Sequence, residues 1–208
     1  HLAACDEPAA QLAQRIGAVT GVGALGAAFA VAALRECFEE CGLWLGAPDH
    51  HVPTTGWAPP RSRLHAGTSL ATVAAELGLP LATSGLQPWS RWVTPVGLPK
   101  RFDTVFLVAR APAGQEPEVD AGETTTLAWV QPAAALAARG RGEFQMELPT
   151  VNTVQSLGLF SSAAALLAHA AAQPVLAAIH PRVVLGDDGK IKRVLLPDQP
   201  GYDQAWAG

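Results

Sequence analysis

Arg35-Glu36-Cys37-Phe38-Glu39-Glu40-Cys41-Gly42-Leu43 is the segment from which the rest of this chain is best understood. Around it Val31, Leu34, Phe38, Cys41 and Leu45 recur at three- and four-residue spacing, which predicts a helix from about Ala27 to Leu45 with one apolar stripe. Gly46 and Pro48 predict its end. Glu36, Glu39 and Glu40 stand at i, i+3 and i+4, so their carboxylates project from one helix face. Like charges at that spacing repel by about 0.2–0.5 kcal/mol per exposed pair, and a divalent cation turns that repulsion into binding. Oxygen ligands of this kind suit Mg²⁺ or Mn²⁺, with substrate phosphates completing the shell. The competing reading is a solvated face on which Arg35 pairs with Glu39 at i, i+4.

On the N-terminal side, residues 9–17 carry a weak helical pattern, followed by glycines at 17, 21, 23 and 26. On the C-terminal side, residues 49–64 read as a proline-rich loop and 69–78 as a short helix. Strand character follows at 86–94, 102–110 and 124–130. Further helices are predicted at 132–139, 149–160 and 161–173, then a hairpin of 183–185 with 191–196 across the Gly186-Asp187-Asp188-Gly189 turn. Helices and strands mix without βαβ alternation, which favours an α+β sandwich.

Composition narrows the function classes. The chain has 208 residues, 49% of them apolar, which suits one domain with a sizeable core. Charged residues are only 15%, and the net charge of −4 argues against a nucleic-acid partner. No apolar run approaches the ~20 residues of a membrane span. Three cysteines make no closed disulfide set, so a reducing, cytoplasmic setting is expected.

Residue order adds what spacing alone does not. The segment from Arg35 to Leu43 fits the second half of the Nudix box, Arg-Glu-apolar-any-Glu-Glu-any-Gly-apolar, at every specified position, with Cys37 and Leu43 in the apolar slots. It resembles the Nudix hydrolases, enzymes that cleave a nucleoside diphosphate linked to another group. Ala27 stands where the full box has Glu and Gly21 where it has Gly, so a contiguous box is broken. One Nudix subgroup, resembling the coenzyme A diphosphatases, carries an insertion inside the box. In that light Asp6 or Glu7 is the displaced acid, residues 8–26 are the insertion, and the Gly-Gly turn and first strands are expected before His1. Arg91-Trp92-Val93-Thr94-Pro95 with Pro99-Lys100-Arg101-Phe102-Asp103-Thr104 is similar to that subgroup's pair of strands. Glu123-Thr124, Trp129-Val130-Gln131-Pro132 and Leu148-Pro149-Thr150 are similar to later passages of the domain.

The resemblance implies an α/β/α sandwich with a mixed sheet, formed by residues 1–208 as a single domain, with a helical tail at 149–180 and a hairpin at 183–196. It implies a metal-dependent pyrophosphohydrolase with Glu39 and Glu40 as leading ligands of Mg²⁺ or Mn²⁺. Glu36 ligates too or orients the attacking water, and Arg35 holds the glutamates in place. Glu123 is a candidate further carboxylate. Arg91 and Arg101, beside Trp92 and Phe102, are candidates for substrate phosphate or base contacts, with strand-edge charge pairing as the alternative. Coenzyme A or acyl-coenzyme A is the substrate implied by the subgroup; ADP-ribose, dinucleotides and nucleotide sugars stay open. The partners expected are that small molecule and a second copy in a homodimer, with no nucleic acid and no membrane. A Nudix-fold nucleotide-binding module without catalysis is the alternative of a different class.

Other motifs carry less. Cys37 and Cys41 with His50-His51 match no common zinc spacing and read as packing residues. Gly21-Val22-Gly23-Ala24-Leu25-Gly26 satisfies G-x-G-x-x-G but follows no strand. His169 and His180 read as surface or capping residues, and Ser161-Ser162 as a helix N-cap.

Overall fold

The computed structural model describes residues 2–47, 49, 51–54, 56–95, 98–120 and 126–205. Its spine is helix α2 (Gly26–Cys41), preceded by α1 (Ala9–Leu12). Alanines at 27, 28, 30, 32 and 33 give α2 high intrinsic helicity, and Ala30, Val31, Leu34 and Phe38 bury its apolar stripe. The helix stops earlier than its apolar pattern predicts. Gly42 takes a left-handed φ of 72° and donates its N–H to Phe38 O at 3.0 Å, closing the last turn before Gly46 is reached.

The glycine-rich segment has a packing explanation. From α1 the chain continues as a π-helical stretch, Ala13–Ala18, then turns so that segments 9–18 and 23–41 meet at 117°. Leu12 and Ile16 are fully buried there against α2. At the bend two backbones touch. A Cβ on Gly17 would stand 1.8 Å from Gly23 O, and one on Gly26 would stand 2.4 Å from Gly17 N. No side chain fits between Gly17 and Gly26, and Gly21 and Gly23 take left-handed φ of 71° and 59°, so the motif's glycines are accounted for without a bound dinucleotide. Gly26→Ala is expected to cost about 1–3 kcal/mol through overpacking, read as a lower urea midpoint with an unchanged slope.

Phe38 anchors the core beneath α2. Its ring meets Trp44 edge-on at 4.9 Å and Trp57 at 5.5 Å, while the two indoles stack with parallel planes 6.1 Å apart between centroids. Trp57 introduces α3 (Ala58–His65), a helix inside the segment that reads as loop. The correction has a simple cause: Pro59 and Pro60 lie in the first turn, where a missing N–H breaks no helical bond. Helix α4 (Leu70–Leu77) follows, with Ser69 Oγ accepting from Thr72 N at 3.1 Å.

Strand β1 (Gln87–Val93) lies between β2 (Asp103–Val108), antiparallel to it, and the short β3 (Ala178–Ile179), parallel to it. The result is the mixed sheet of an α+β fold, as the sequence predicts. Helix α5 (Pro132–Gly140) packs on α6 (Leu148–Leu157), and α7 (Ala163–Ala171) packs on β1. Strands β4 (Arg182–Leu185) and β5 (Ile191–Leu195) form the expected hairpin. The predicted strand at 124–130 does not form over its described part. Residues 126–130 are largely exposed and pair with no strand among the described residues, and 124–125 lie outside them. Among the described residues no single helix is long and apolar enough to cross a membrane.

Candidate active site on the acidic face of α2

The three glutamates share a helix but not an environment. Glu36 and Glu40 are exposed, whereas Glu39 is only 7% accessible. Arg35 Nε donates to Glu39 Oε1 at 2.9 Å, with the arginine side chain half exposed. A buried carboxylate needs such a partner, so Glu39 is not part of a merely solvated face. It sits where the acidic face meets the apolar stripe, beside Phe38, and is thereby fixed in place.

A further arginine, unmarked by any sequence signal, fixes the backbone of that same turn. Arg61 of α3 is buried and donates through Nη2 to Glu39 O at 2.7 Å and through Nη1 to Val119 O at 3.3 Å. Its Nε is buried without a partner. Glu118 N donates to Cys41 O at 2.9 Å, and Gln115 clamps Trp44 through Trp44 N to Oε1 at 2.9 Å and Nε2 to Trp44 O at 3.2 Å. Residues 115–119 are therefore strapped to the C-terminal end of α2. Because Arg61 contributes charged donors from a buried position, Arg61→Met is expected to lower stability by about 1.5–3 kcal/mol, measured by urea denaturation.

The donor chemistry of Glu36, Glu39 and Glu40 fits a hard divalent cation. Among the described residues no three His, Cys, Asp or Glu side chains converge closely enough to form a cation site unaided. Glu123, the candidate further carboxylate, lies outside the described residues.

Cysteines 37 and 41 pack on the same helix with sulfurs 3.7 Å apart. The hydrogen bond between them holds the Cys41 thiol down at about 6 and pushes Cys37 up. No zinc set gathers around them among the described residues: His51 lies near the Trp57 ring at 6.4 Å, and His50 is outside those residues.

The acids offered for the first half of the box are engaged elsewhere. Glu7 is buried and pairs with Arg15, whose Nη2 lies 2.5 Å from Oε1 and whose Nε lies 3.3 Å from Oε2. Arg15 also donates to Thr83 O at 2.6 Å and to Leu86 O. Asp6 accepts from Thr83 Oγ1 and Ser84 N, both at 3.0 Å, and from Ser84 Oγ. Burial opposes ionisation of Asp6, but those donors outweigh it and hold its carboxyl below the usual range. Ala27, at the Glu position of a contiguous box, is buried in the core.

The two arginines on the sheet differ. Arg91 grips Asp103 with two bonds, Nε to Oδ1 at 2.8 Å and Nη2 to Oδ2 at 2.6 Å, and donates through Nη1 to Thr20 O at 3.1 Å. The pair is diagonal across β1 and β2, since Asp103 stands opposite Val93. Arg101 is exposed, with Nε donating to Thr94 O at 3.2 Å, beside an exposed Phe102. The geometry leaves Arg101 the more accessible of the two for an incoming phosphate.

Comparison with known proteins agrees with the motif on α2. A family model described as the NUDT19 Nudix domain matches residues 17–157, more than half of the chain and all of α2's acidic segment. Among solved structures, a Nudix hydrolase from Alicyclobacillus acidocaldarius is similar, with a TM-score of 0.62 and 26% sequence identity. The match covers 77% of this chain and 75% of that one.

Proposed function

The chain belongs to the Nudix family, a hydrolase class acting on phosphoric anhydrides, and from that premise we propose that it splits the pyrophosphate of coenzyme A or acyl-coenzyme A in a divalent-metal-dependent reaction. The observation that carries the site assignment is the buried Glu39, held by Arg35 at 2.9 Å on the helix that also presents Glu36 and Glu40 to solvent. Glu39 and Glu40 hold the cation, Mg²⁺ or Mn²⁺, and Glu36 ligates beside them or orients the water. A divalent ion there neutralises charge that builds on the phosphate oxygens during attack by water. Arg35 keeps the Glu39 carboxylate from rotating away, and Arg101 offers an exposed guanidinium for phosphate.

The substrate preference follows the resemblance of residues 91–104 to the coenzyme A diphosphatase-like subgroup, with residues 8–26 as the insertion in its box. A panel of coenzyme A, ADP-ribose and NADH with Mg²⁺ or Mn²⁺, products identified by ³¹P NMR, tests it. Phosphopantetheine with adenosine 3′,5′-bisphosphate is the expected pair, formed faster than either alternative product. Faster cleavage of ADP-ribose or NADH removes the coenzyme A assignment. Metal-dependent cleavage of none of the three favours a second reading, a nucleotide-binding module without catalysis. That reading is favoured by Ala27, buried where the box carries Glu, and by the engagement of Asp6 and Glu7 with other groups.

A further inference from the structure

Two thiols on α2 take no part in the proposed hydrolysis, yet they bracket Glu39 and Glu40 in the chain. Cys37 Sγ and Cys41 Sγ lie 3.7 Å apart, and Cys41 Sγ also donates to Cys37 O at 2.8 Å. Both cysteines are free and half-buried, so neither is sealed in the core. Two sulfurs in contact and open to a small reagent are the starting arrangement for oxidation to a disulfide.

Helix geometry sets how far the pair stands from that bond. A rise of 1.5 Å per residue puts Cα atoms four residues apart at about 6 Å, inside the roughly 4.4–6.8 Å that a disulfide spans. Their Cβ atoms, about 5–6 Å apart on a regular helix, must close to about 3.5–4.5 Å. That contraction falls where the helix tightens most readily. Cys41 is the last residue of α2, and Gly42 follows it with a left-handed φ of 72°. Mid-helix, the same contraction would disrupt bonds on both sides, whereas here only the terminal turn has to change.

This turn carries Glu39 and Glu40, and its carbonyls are held by fixed donors. Phe38 O accepts from Gly42 N at 3.0 Å, Glu39 O from Arg61 Nη2 at 2.7 Å and Cys41 O from Glu118 N at 2.9 Å. Drawing Cys41 toward Cys37 shifts these acceptors off their donors and reorients the two carboxylates between the cysteines.

We propose that Cys37 and Cys41 form a redox-active dithiol, closed by a low-molecular-weight disulfide of the oxidised glutathione type, and that closure reshapes the last turn of α2. One protein sulfur attacks oxidised glutathione, forming a mixed disulfide and releasing one glutathione. The other protein sulfur then attacks the protein sulfur of that bond and releases the second glutathione. Two protein thiols thus give up two electrons and two protons, and one oxidised glutathione becomes two reduced ones. A further consequence, weaker divalent-metal binding by the disulfide form, rests on the proposed role of α2; the dithiol itself does not.

The test equilibrates the full chain in buffers of increasing oxidised-to-reduced glutathione ratio, alkylates the remaining thiols and maps the peptides by mass. A Cys37–Cys41 link, two hydrogens lighter than the dithiol, is expected, with Cys5 outside it. Amide hydrogen exchange of the same samples should speed up at least tenfold at Gly42 and Glu118 in the oxidised form, and dithiothreitol should restore it. Cys41→Ser should show neither the link nor the exchange response. Mn²⁺ half-saturation should rise at least threefold on oxidation. Thiols that stay reduced, or that stop at mixed disulfides, overturn the proposal, as does a disulfide form with unchanged exchange at Gly42 and Glu118. Unchanged Mn²⁺ binding by the oxidised form overturns the coupling to the acidic face. A reduced chain that takes up no Mn²⁺ overturns the metal assignment of α2 instead, and the link and exchange results still decide the dithiol.

Discussion

Glu39→Gln is expected to lower kcat for pyrophosphate cleavage by roughly 10²- to 10³-fold, with Glu40→Gln falling in the same range. The size follows from the role: a carboxylate that holds a cation against the developing phosphate charge acts mainly in the transition state, so kcat suffers more than KM. An amide of the same shape keeps the acceptor oxygen facing Arg35 Nε but removes the charge. Arg35 is half exposed and stays hydrated without its counter-charge, but the amide brings N–H groups to a buried position, where a donor without an acceptor costs about 1–3 kcal/mol. Glu39→Gln should therefore melt several degrees below the parent yet remain folded while activity collapses. Glu40 is exposed, and its variant should change stability by no more than about 0.5 kcal/mol. If both variants turn over at the parent rate, the acidic face is not the metal site.

Phe38→Ala is expected to have the largest effect on stability, about 3–5 kcal/mol. Phe38 is 1% accessible and lies edge-on to two stacked tryptophans, so truncation opens a cavity that neither indole can fill without giving up its contact with the other. For a chain of this length that loss corresponds to a fall of roughly 6–20 °C in melting temperature. The residue lies next to Glu39, which couples the two results. Destabilising the apolar side of α2 should also raise the Mg²⁺ concentration needed for half-maximal rate, because Glu39 is positioned by the turn that Phe38 anchors. Thermal melts and urea titrations measure the first effect, and a metal titration of the rate measures the second.

What the sequence made legible was whatever local periodicity and side-chain chemistry determine. Helix α2 follows from its apolar stripe, α4 from its short helical pattern, α7 from Ser161-Ser162 as an N-cap, and β1 with β2 from their strand character. Helix α3 was hidden because Pro59 and Pro60 read as loop punctuation, although a first helical turn accommodates them. The end of α2 was misplaced because Gly42 lies inside the motif, whereas Gly46 and Pro48 form the more obvious stop. Within the site, Arg35 pairing with Glu39 could be read from i, i+4 spacing. Arg61 could not, since its bonds to Glu39 O and Val119 O join residues 22 and 58 positions apart, a separation without local pattern.

The most direct test of the central claim is Mn²⁺ binding followed by the loss of the free-ion EPR signal, comparing the parent with a Glu39→Gln/Glu40→Gln double variant in the presence of ADP-ribose or coenzyme A. The account predicts that the parent removes Mn²⁺ from solution and the double variant, folded at the temperature of the measurement, does so at least tenfold more weakly. Equal Mn²⁺ uptake by the two proteins would contradict it.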